Sequence, residues 1–383
     1  MAKEKDDLYL LELKNFVRLH GHAQQLDSQQ VRQILNGITD SQGCDQGSWS
    51  AEWFKAAELK RQQQDWTNAT RLFNLVRFPF VSNPLQQQAL EACIDCFARS
   101  MQQAAVEYES LSLAGNTVKA YATGLDQNWP LLIVCGGIIS IKEQWQRFLL
   151  LAQRLKICVV ITEMPGVGEN KLQYNRESWT LFTHIMDALQ GRAEIQRTYL
   201  FALSFSGHLA LMAAEKDARI VGITTVGAPV RHFFQPHDLD EIPHVTRATL
   251  CHLMKIDPSQ LAEHLDHLAL LPSVTPLTIP VHYLQSQFDE VIPEAEVDAL
   301  RSRVTSVSVY PLPDIHGSPH HLHLVGPWAL ATILSGFKHR RNMAMFFSVL
   351  WRIKRMIHRF SKQPQIQHQP PHSANRARES RTR

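Results

Sequence analysis

Two periodicities divide the chain. Between residues 8 and 105 apolar side chains return every three or four positions, set among many Gln and Ala, and no segment alternates convincingly as a strand would. Trp49, Trp53, Ala56, Ala57, Trp66, Ala69, Phe73 and Val76 supply the apolar faces that packed helices need. The Phe78-Pro79-Phe80 turn ends that stretch, and a helix resumes from Pro84 to Ala105. Residues 1–105 are therefore expected to form an all-helical domain with its aromatics in the core.

Near residue 106 the pattern changes. Residues 106–113 and 118–123 read as a hairpin turning at Ala114-Gly115-Asn116. β-branched and apolar runs follow at 131–135, 157–162, 199–203, 220–225, 279–284 and 305–310. Helical stretches alternate with them near 141–154, 175–190, 207–216, 295–302 and 324–336. That order predicts a mostly parallel sheet covered on both faces, over residues 106–336. More than 50 residues separate the runs ending at Thr225 and starting at Ile279, with helical pattern at 245–254 and 258–271. An insertion of that length after a strand's C-terminal end overhangs the site, so residues 232–275 are expected to form a cap.

Composition adds little until the charges are placed. No apolar run approaches the roughly 18–20 residues of a spanning helix, and the charged start Met1-Ala2-Lys3-Glu4-Lys5-Asp6-Asp7 lacks a secretory cleavage pattern. A cytoplasmic protein is the expectation. Cys135 and Cys158 fall within strand-like runs as buried thiols, and Cys93-Ile94-Asp95-Cys96 has no second cysteine pair with which to bind a metal. Residues 336–383 hold 12 Lys/Arg and one acid, Glu379, which leaves the first 335 residues with 27 basic against 35 acidic groups, a net −8. Within that basic tail, residues 337–360 read as a helix carrying Met343, Phe346, Phe347, Leu350, Trp351, Ile353 and Met356. Such a helix could pack on the N-terminal domain, on a partner subunit, or on a membrane surface. Residues from 361 onward are expected to be disordered. Nucleic-acid binding is not expected, because no recognition fold accompanies the charge.

The chemistry is concentrated after the run at 199–203. There Ala202-Leu203-Ser204-Phe205-Ser206-Gly207 passes from a strand through a serine into a small-residue helix. A nucleophile elbow needs that context, because its strained turn leaves no room for large flanking side chains. Counting from Ser206 instead would put His208 in a small-residue slot, so Ser204 is preferred. A carboxylate is then expected after the strand at 279–284, where Asp289 is the choice and Glu290 the fallback. The base is expected after the last strand. His316 fits best, beside Gly317, with His320, His321 and His323 as alternatives. Those four histidines lack the acidic or thiol partners of a metal site, so no metal is expected. The oxyanion donors would be the amides of Phe205 and of Gly137 or Ile138, where Gly136-Gly137 lets the backbone come close. Gly166-Val167-Gly168 lacks the third glycine of a dinucleotide cradle and reads as a rim loop, so no cofactor is expected.

Together these segments resemble the esterase-like α/β-hydrolases of the fermentation–respiration switch protein family. They are also similar to the related 2,6-dihydroxypseudooxynicotine hydrolase, a carbon–carbon bond hydrolase. The likeness covers about residues 50–335, and rests on Trp53, Phe73-Asn74-Leu75, Cys135-Gly136-Gly137, Met164-Pro165-Gly166-Val167-Gly168, the elbow at Ser204 and Gly227-Ala228-Pro229-Val230. It implies an α/β-hydrolase fold whose helical N-terminal domain helps close the cleft, often a homodimer, and Ser204, Asp289 and His316 as a triad. The expected reaction is hydrolysis of a small-molecule ester or thioester through an acyl-enzyme. The competing readings are carbon–carbon cleavage of a ketone, acyl transfer onto a polyketide-like metabolite, and a non-catalytic scaffold that binds partners through its basic tail.

Overall fold

The computed structural model describes residues 2–21 and 24–360. The disorder expected from residue 361 onward lies outside the described residues. Five helices open the chain: α1 (Ala2–His20), α2 (Ser28–Gly37), α3 (Trp49–Gln62), α4 (Trp66–Val76) and α5 (Pro84–Gln103). Four of them start at a side chain that accepts an otherwise orphaned amide. Asp27 takes Gln30 N–H, Ser48 takes Ala51 N–H, Asp65 takes Asn68 N–H and Asn83 takes Gln86 N–H. Each such cap contributes about 1 kcal/mol. Trp49, Trp53, Ala57, Ala69, Phe73 and Val76 are fully buried between these helices, whereas Ala56 and Trp66 pack from the margin of the core.

The sheet and its helices follow in chain order: β1 (Glu109–Leu113), β2 (Val118–Thr123), β3 (Pro130–Cys135), α6 (Gln146–Leu155), β4 (Cys158–Thr162), α7 (Thr180–Ala188), β5 (Glu194–Ala202), α8 (Phe205–Lys216), β6 (Ile220–Val226), α9 (His244–Met254), α10 (Leu261–Asp266), β7 (Val281–Ser286), α11 (Glu296–Arg301), β8 (Val307–Leu312), α12 (Leu322–Ser335) and α13 (Arg341–Phe360). The eight strands lie in the order β1-β2-β4-β3-β5-β6-β7-β8. The β1–β2 and β2–β4 pairs are antiparallel, and every later pair is parallel. This is the α/β-hydrolase arrangement. One apolar core runs without a break from Trp53 and Phe73 to the near face of the sheet at Ile133 and Leu200. A second, containing Phe148, Phe201 and Trp328, fills the other face.

Several boundaries differ from the sequence reading. β7 begins at Val281 rather than Ile279, since Pro280 has no N–H to give the ladder and serves only as an acceptor for Ile223 N–H, at 3.0 Å. β8 shifts in step, from Thr305 to Val307. β5 reaches back to Glu194, where a polar start still pairs with β3 at Pro130. The helix expected at 258–271 shrinks to α10, because Leu268 and Leu270 return to the core through backbone bonds.

The insertion between β6 and β7 is pinned at its base. Leu270 N–H donates to Val230 O at 2.9 Å, and the buried Glu296 carboxylate accepts Arg231 N–H and Phe233 N–H, both at 2.7 Å. At the other end, α1 reaches it through Val245 N–H, which donates to Glu12 at 2.9 Å. The C-terminal α13 packs on α12 and on Tyr310, whose ring meets Trp351 edge-on at 5.1 Å. Among the described residues no helix is long and apolar enough to cross a membrane.

Candidate active site

Strand β5 ends at Ala202, and Ser204 turns the chain into α8 with φ 55° and ψ −127°. A non-glycine residue held there costs about 1–3 kcal/mol, so its surroundings must impose the turn. They do so through Leu203 N–H to Cys135 O at 3.0 Å, Ser204 N–H to Val226 O at 2.9 Å and Gly207 N–H to Ser204 O at 2.8 Å. Ser206, the other serine of the motif, is fully buried and donates its hydroxyl to Cys135 O at 2.8 Å. It ties the turn to β3 and is turned away from any substrate. His208 is likewise buried, where burial pulls its imidazole down to about 4 and keeps it neutral. Its Nε2 lies 2.9 Å from Leu268 O and so anchors the insertion to the elbow helix.

The loops after β7 and β8 deliver the partners. Ser204 Oγ stands 3.0 Å from His316 Nε2. On the ring's far side, His316 Nδ1 lies 3.0 and 2.9 Å from the two Asp289 carboxylate oxygens. An ionised carboxylate can only accept, so the proton sits on Nδ1 and Nε2 is free to receive the serine's hydrogen. Asp289 is fixed in turn by Val291 N–H at 3.0 Å and Ile292 N–H at 2.7 Å. Burial alone would lower the His316 pKa, but the charges of Asp289 and Glu290 outweigh it, and the imidazole ends above its ordinary 6.5.

The alternative residues are occupied elsewhere. Glu290 accepts the backbone N–H of His316 at 3.0 Å rather than its ring. His320 and His321 both point Nδ1 at the buried Asp314, each at 2.7 Å. His323 lies among the rings of His321 and His358. Of the four clustered histidines, only His316 reaches Ser204. Among the described residues no group of three or more His, Cys, Asp or Glu side chains is arranged to hold a metal ion.

Gly137 comes up against the nucleophile: a Cβ built there would lie 3.1 Å from Ser204 Cβ and 3.5 Å from Oγ. Ser140 N–H donates to Gly137 O at 3.1 Å, closing the loop into a turn, and among the described residues the amides of Gly137 and Ile138 donate to no protein atom. Phe205 begins α8 directly after the serine, with its ring edge-on to Phe233 of the insertion at 4.9 Å. The loop at Gly137 thus lies against the Ser204 side chain, and Phe205 follows that serine at the start of α8.

Below this loop lies a buried charge cluster that the motifs did not reveal. Lys142 Nζ meets Glu143 at 3.0 Å, Glu163 at 3.3 Å and Glu169 at 2.7 Å. Burial works against its charge, but the glutamates outweigh it and hold the ammonium well above its usual range. Glu163 also accepts Lys142 N–H at 3.0 Å, which fixes where the loop ends. Gly227, Glu296 and Arg77 were equally unassigned by sequence. Only Gly227 carried a signal, as the first residue of Gly227-Ala228-Pro229-Val230.

Among solved structures, the chain is similar to wild-type AbyA5, at 38% identity and a TM-score of 0.82, over 90% of this chain and 99% of that one. A second AbyA5 structure matches at 38% identity and 0.76, over 83% and 97% of the two chains. The 2,6-dihydroxy-pseudo-oxynicotine hydrolase shares 16% identity with a TM-score of 0.63, over 84% and 96%, which is a likeness of fold alone. No family model matches the chain, and no curated protein matches it.

Proposed function

The chain belongs to the α/β-hydrolase family, as does AbyA5, and on that premise we propose that it cleaves a small-molecule ester or thioester through an acyl-enzyme on Ser204. The observation that carries this reading is the continuous line from Ser204 Oγ through His316 to Asp289, with contacts of 3.0 and 2.9 Å. In the first step His316 Nε2 takes the Ser204 proton as Oγ attacks the acyl carbonyl. The imidazolium so formed faces Asp289, whose charge stabilises it. The carbonyl oxygen becomes an oxyanion and rests on the Phe205 amide and on that of Gly137 or Ile138, each donor worth about 3 kcal/mol in the transition state. His316 then returns its proton to the leaving alcohol or thiol. Water, deprotonated by the same nitrogen, releases the acid.

The resemblance to esterase-like fermentation–respiration switch proteins fits the same reading. The 2,6-dihydroxy-pseudo-oxynicotine hydrolase shares the fold at 16% identity, too distant for its substrate to be carried over.

The test is a fluorophosphonate probe with peptide mass spectrometry on wild type, S204A and H316A. Labelling at Ser204 that vanishes in S204A and slows sharply in H316A supports the proposal. A folded wild type that never forms a covalent adduct, with the probe or with an activated ester trapped by acid quench, would remove it.

A further inference from the structure

Arg77 is the last residue of the helical region's α4 corner and is almost completely buried, at 2% exposure. A cation withdrawn from water is costly unless its donors are met. Among the described residues no carboxylate is hydrogen-bonded to it, and the charges of Glu163 and Glu143 reach it only from further off. Nε and Nη2 donate to Asn74 Oδ1 at 2.9 and 2.7 Å, and Nη1 donates to Pro79 O at 3.0 Å. These three bonds lie within its own corner of the chain. The fourth leaves it: Nη2 also donates to the carbonyl of Ile139, 62 residues away.

Ile139 sits in the turn that presents Gly137 and Ile138 to Ser204. That turn is held at its start by Ser140 N–H on Gly137 O, and beyond it by Ile141 N–H on Gln144 Oε1 at 3.0 Å and Lys142 N–H on Glu163. Arg77 grips the carbonyl end of the Ile139–Ser140 peptide, whose N–H end is the donor to Gly137 O, and Gly137 O shares its peptide plane with the unpaired Ile138 amide. Without Arg77 that peptide is tied only to Gly137 O of its own turn, so the two linked planes can tilt together and carry the Ile138 amide with them.

We propose that Arg77 is a positioning residue for the oxyanion hole: by gripping the Ile139 carbonyl it keeps the Gly137 and Ile138 amides aimed at the oxygen above Ser204. The helical region then acts in the chemistry. This inference rests on the acyl-enzyme reading, since only a developing oxyanion needs those amides.

The experiment follows fluorophosphonate labelling of the full chain at several probe concentrations, which separates the limiting rate from the apparent affinity. Arg77→Met fills similar space without the donors, and Arg77→Lys keeps one. Arg77→Met is expected to lower the limiting rate about 10²-fold, as loss of an oxyanion donor does, with apparent affinity within about threefold. The acid limb of its pH profile should stay where the wild type has it, because His316 and Asp289 are untouched. Arg77→Lys should recover part of the rate. A folded Arg77→Met that labels as fast as wild type, whatever its melting temperature, overturns the proposal. Should Arg77→Met fail to fold, Asn74→Ala frees two of the guanidinium's bonds while keeping the cation, and an unchanged rate in that variant overturns it equally. A wild type that does not label removes the serine reading and this inference together, whereas equal rates in wild type and Arg77→Met remove this inference alone.

Discussion

Replacing Gly227 with alanine separates the cost of a backbone conformation from the cost of crowding the His316–Asp289 pair. Gly227 follows β6 with φ +57°, and its N–H donates to Leu284 O at 3.0 Å. A Cβ there would stand 3.1 Å from His316 Cε1 and 3.2 Å from both His316 Nδ1 and Asp289 Oδ2. Those distances are a few tenths of an ångström too short, so the ring must move by about that much. Gly191 offers the control, because it has φ +80° and a Cβ there would meet nothing within 4 Å. Both alanine variants should lose about 1–2 kcal/mol in urea unfolding, the penalty of a left-handed L-residue. Only Gly227→Ala should slow Ser204 labelling. A 1 Å misplacement costs about 10²-fold, so a few tenths predicts about 4- to 10-fold. Gly191→Ala should label at the wild-type rate. Equal rates in the two variants would refute the argument that Gly227 is glycine for the sake of the His316–Asp289 pair.

Asp289→Asn removes the nearest charge that holds the His316 pKa up. On the proposed mechanism His316 must be neutral to act, so the wild-type acid limb is expected above 6.5; in the variant it should move to lower pH while the plateau rate falls about 10³- to 10⁴-fold. An acid limb that stays in place in labelling-rate profiles would contradict this assignment. His320→Gln, by contrast, should leave the labelling rate within twofold, since that ring serves Asp314. Asp314→Asn should instead cost about 1–3 kcal/mol in urea unfolding, because the buried carboxylate accepts from Ile315 N–H and His320 N–H besides both histidine rings.

The elbow was legible because it is local: strand, serine and small-residue helix lie within ten residues, and each step leaves its mark on composition. Asp289 and His316 were legible by chain order, since a parallel sheet brings the loops after successive strands to one edge. Arg77 was not legible. At the end of an amphipathic helix an arginine normally faces water, whereas this one is buried and reaches a carbonyl 62 residues away. Glu163 was hidden for the same reason, its partner Lys142 lying 21 residues off. The shift of β7 could be traced to Pro280 only once its neighbour β6 was known. The site of α13 stayed open because the helix is apolar on two sides. Phe347 and Trp351 pack inward, while Met345, Phe346, Val349 and Ile353 remain exposed.

The strand order also sets a timetable for a chain synthesised from its N-terminus. Once β3 and β5 have paired, each later strand joins at the growing edge, β6, then β7, then β8. Ser204 can enter its turn as soon as β6 offers Val226 O, but Asp289 must wait for β7, and His316 for β8, the last strand made. A chain that ends before β8 therefore holds Ser204 without the His316 ring that stands beside it in the finished sheet. The line from Ser204 through His316 to Asp289 is complete only when the whole sheet is closed.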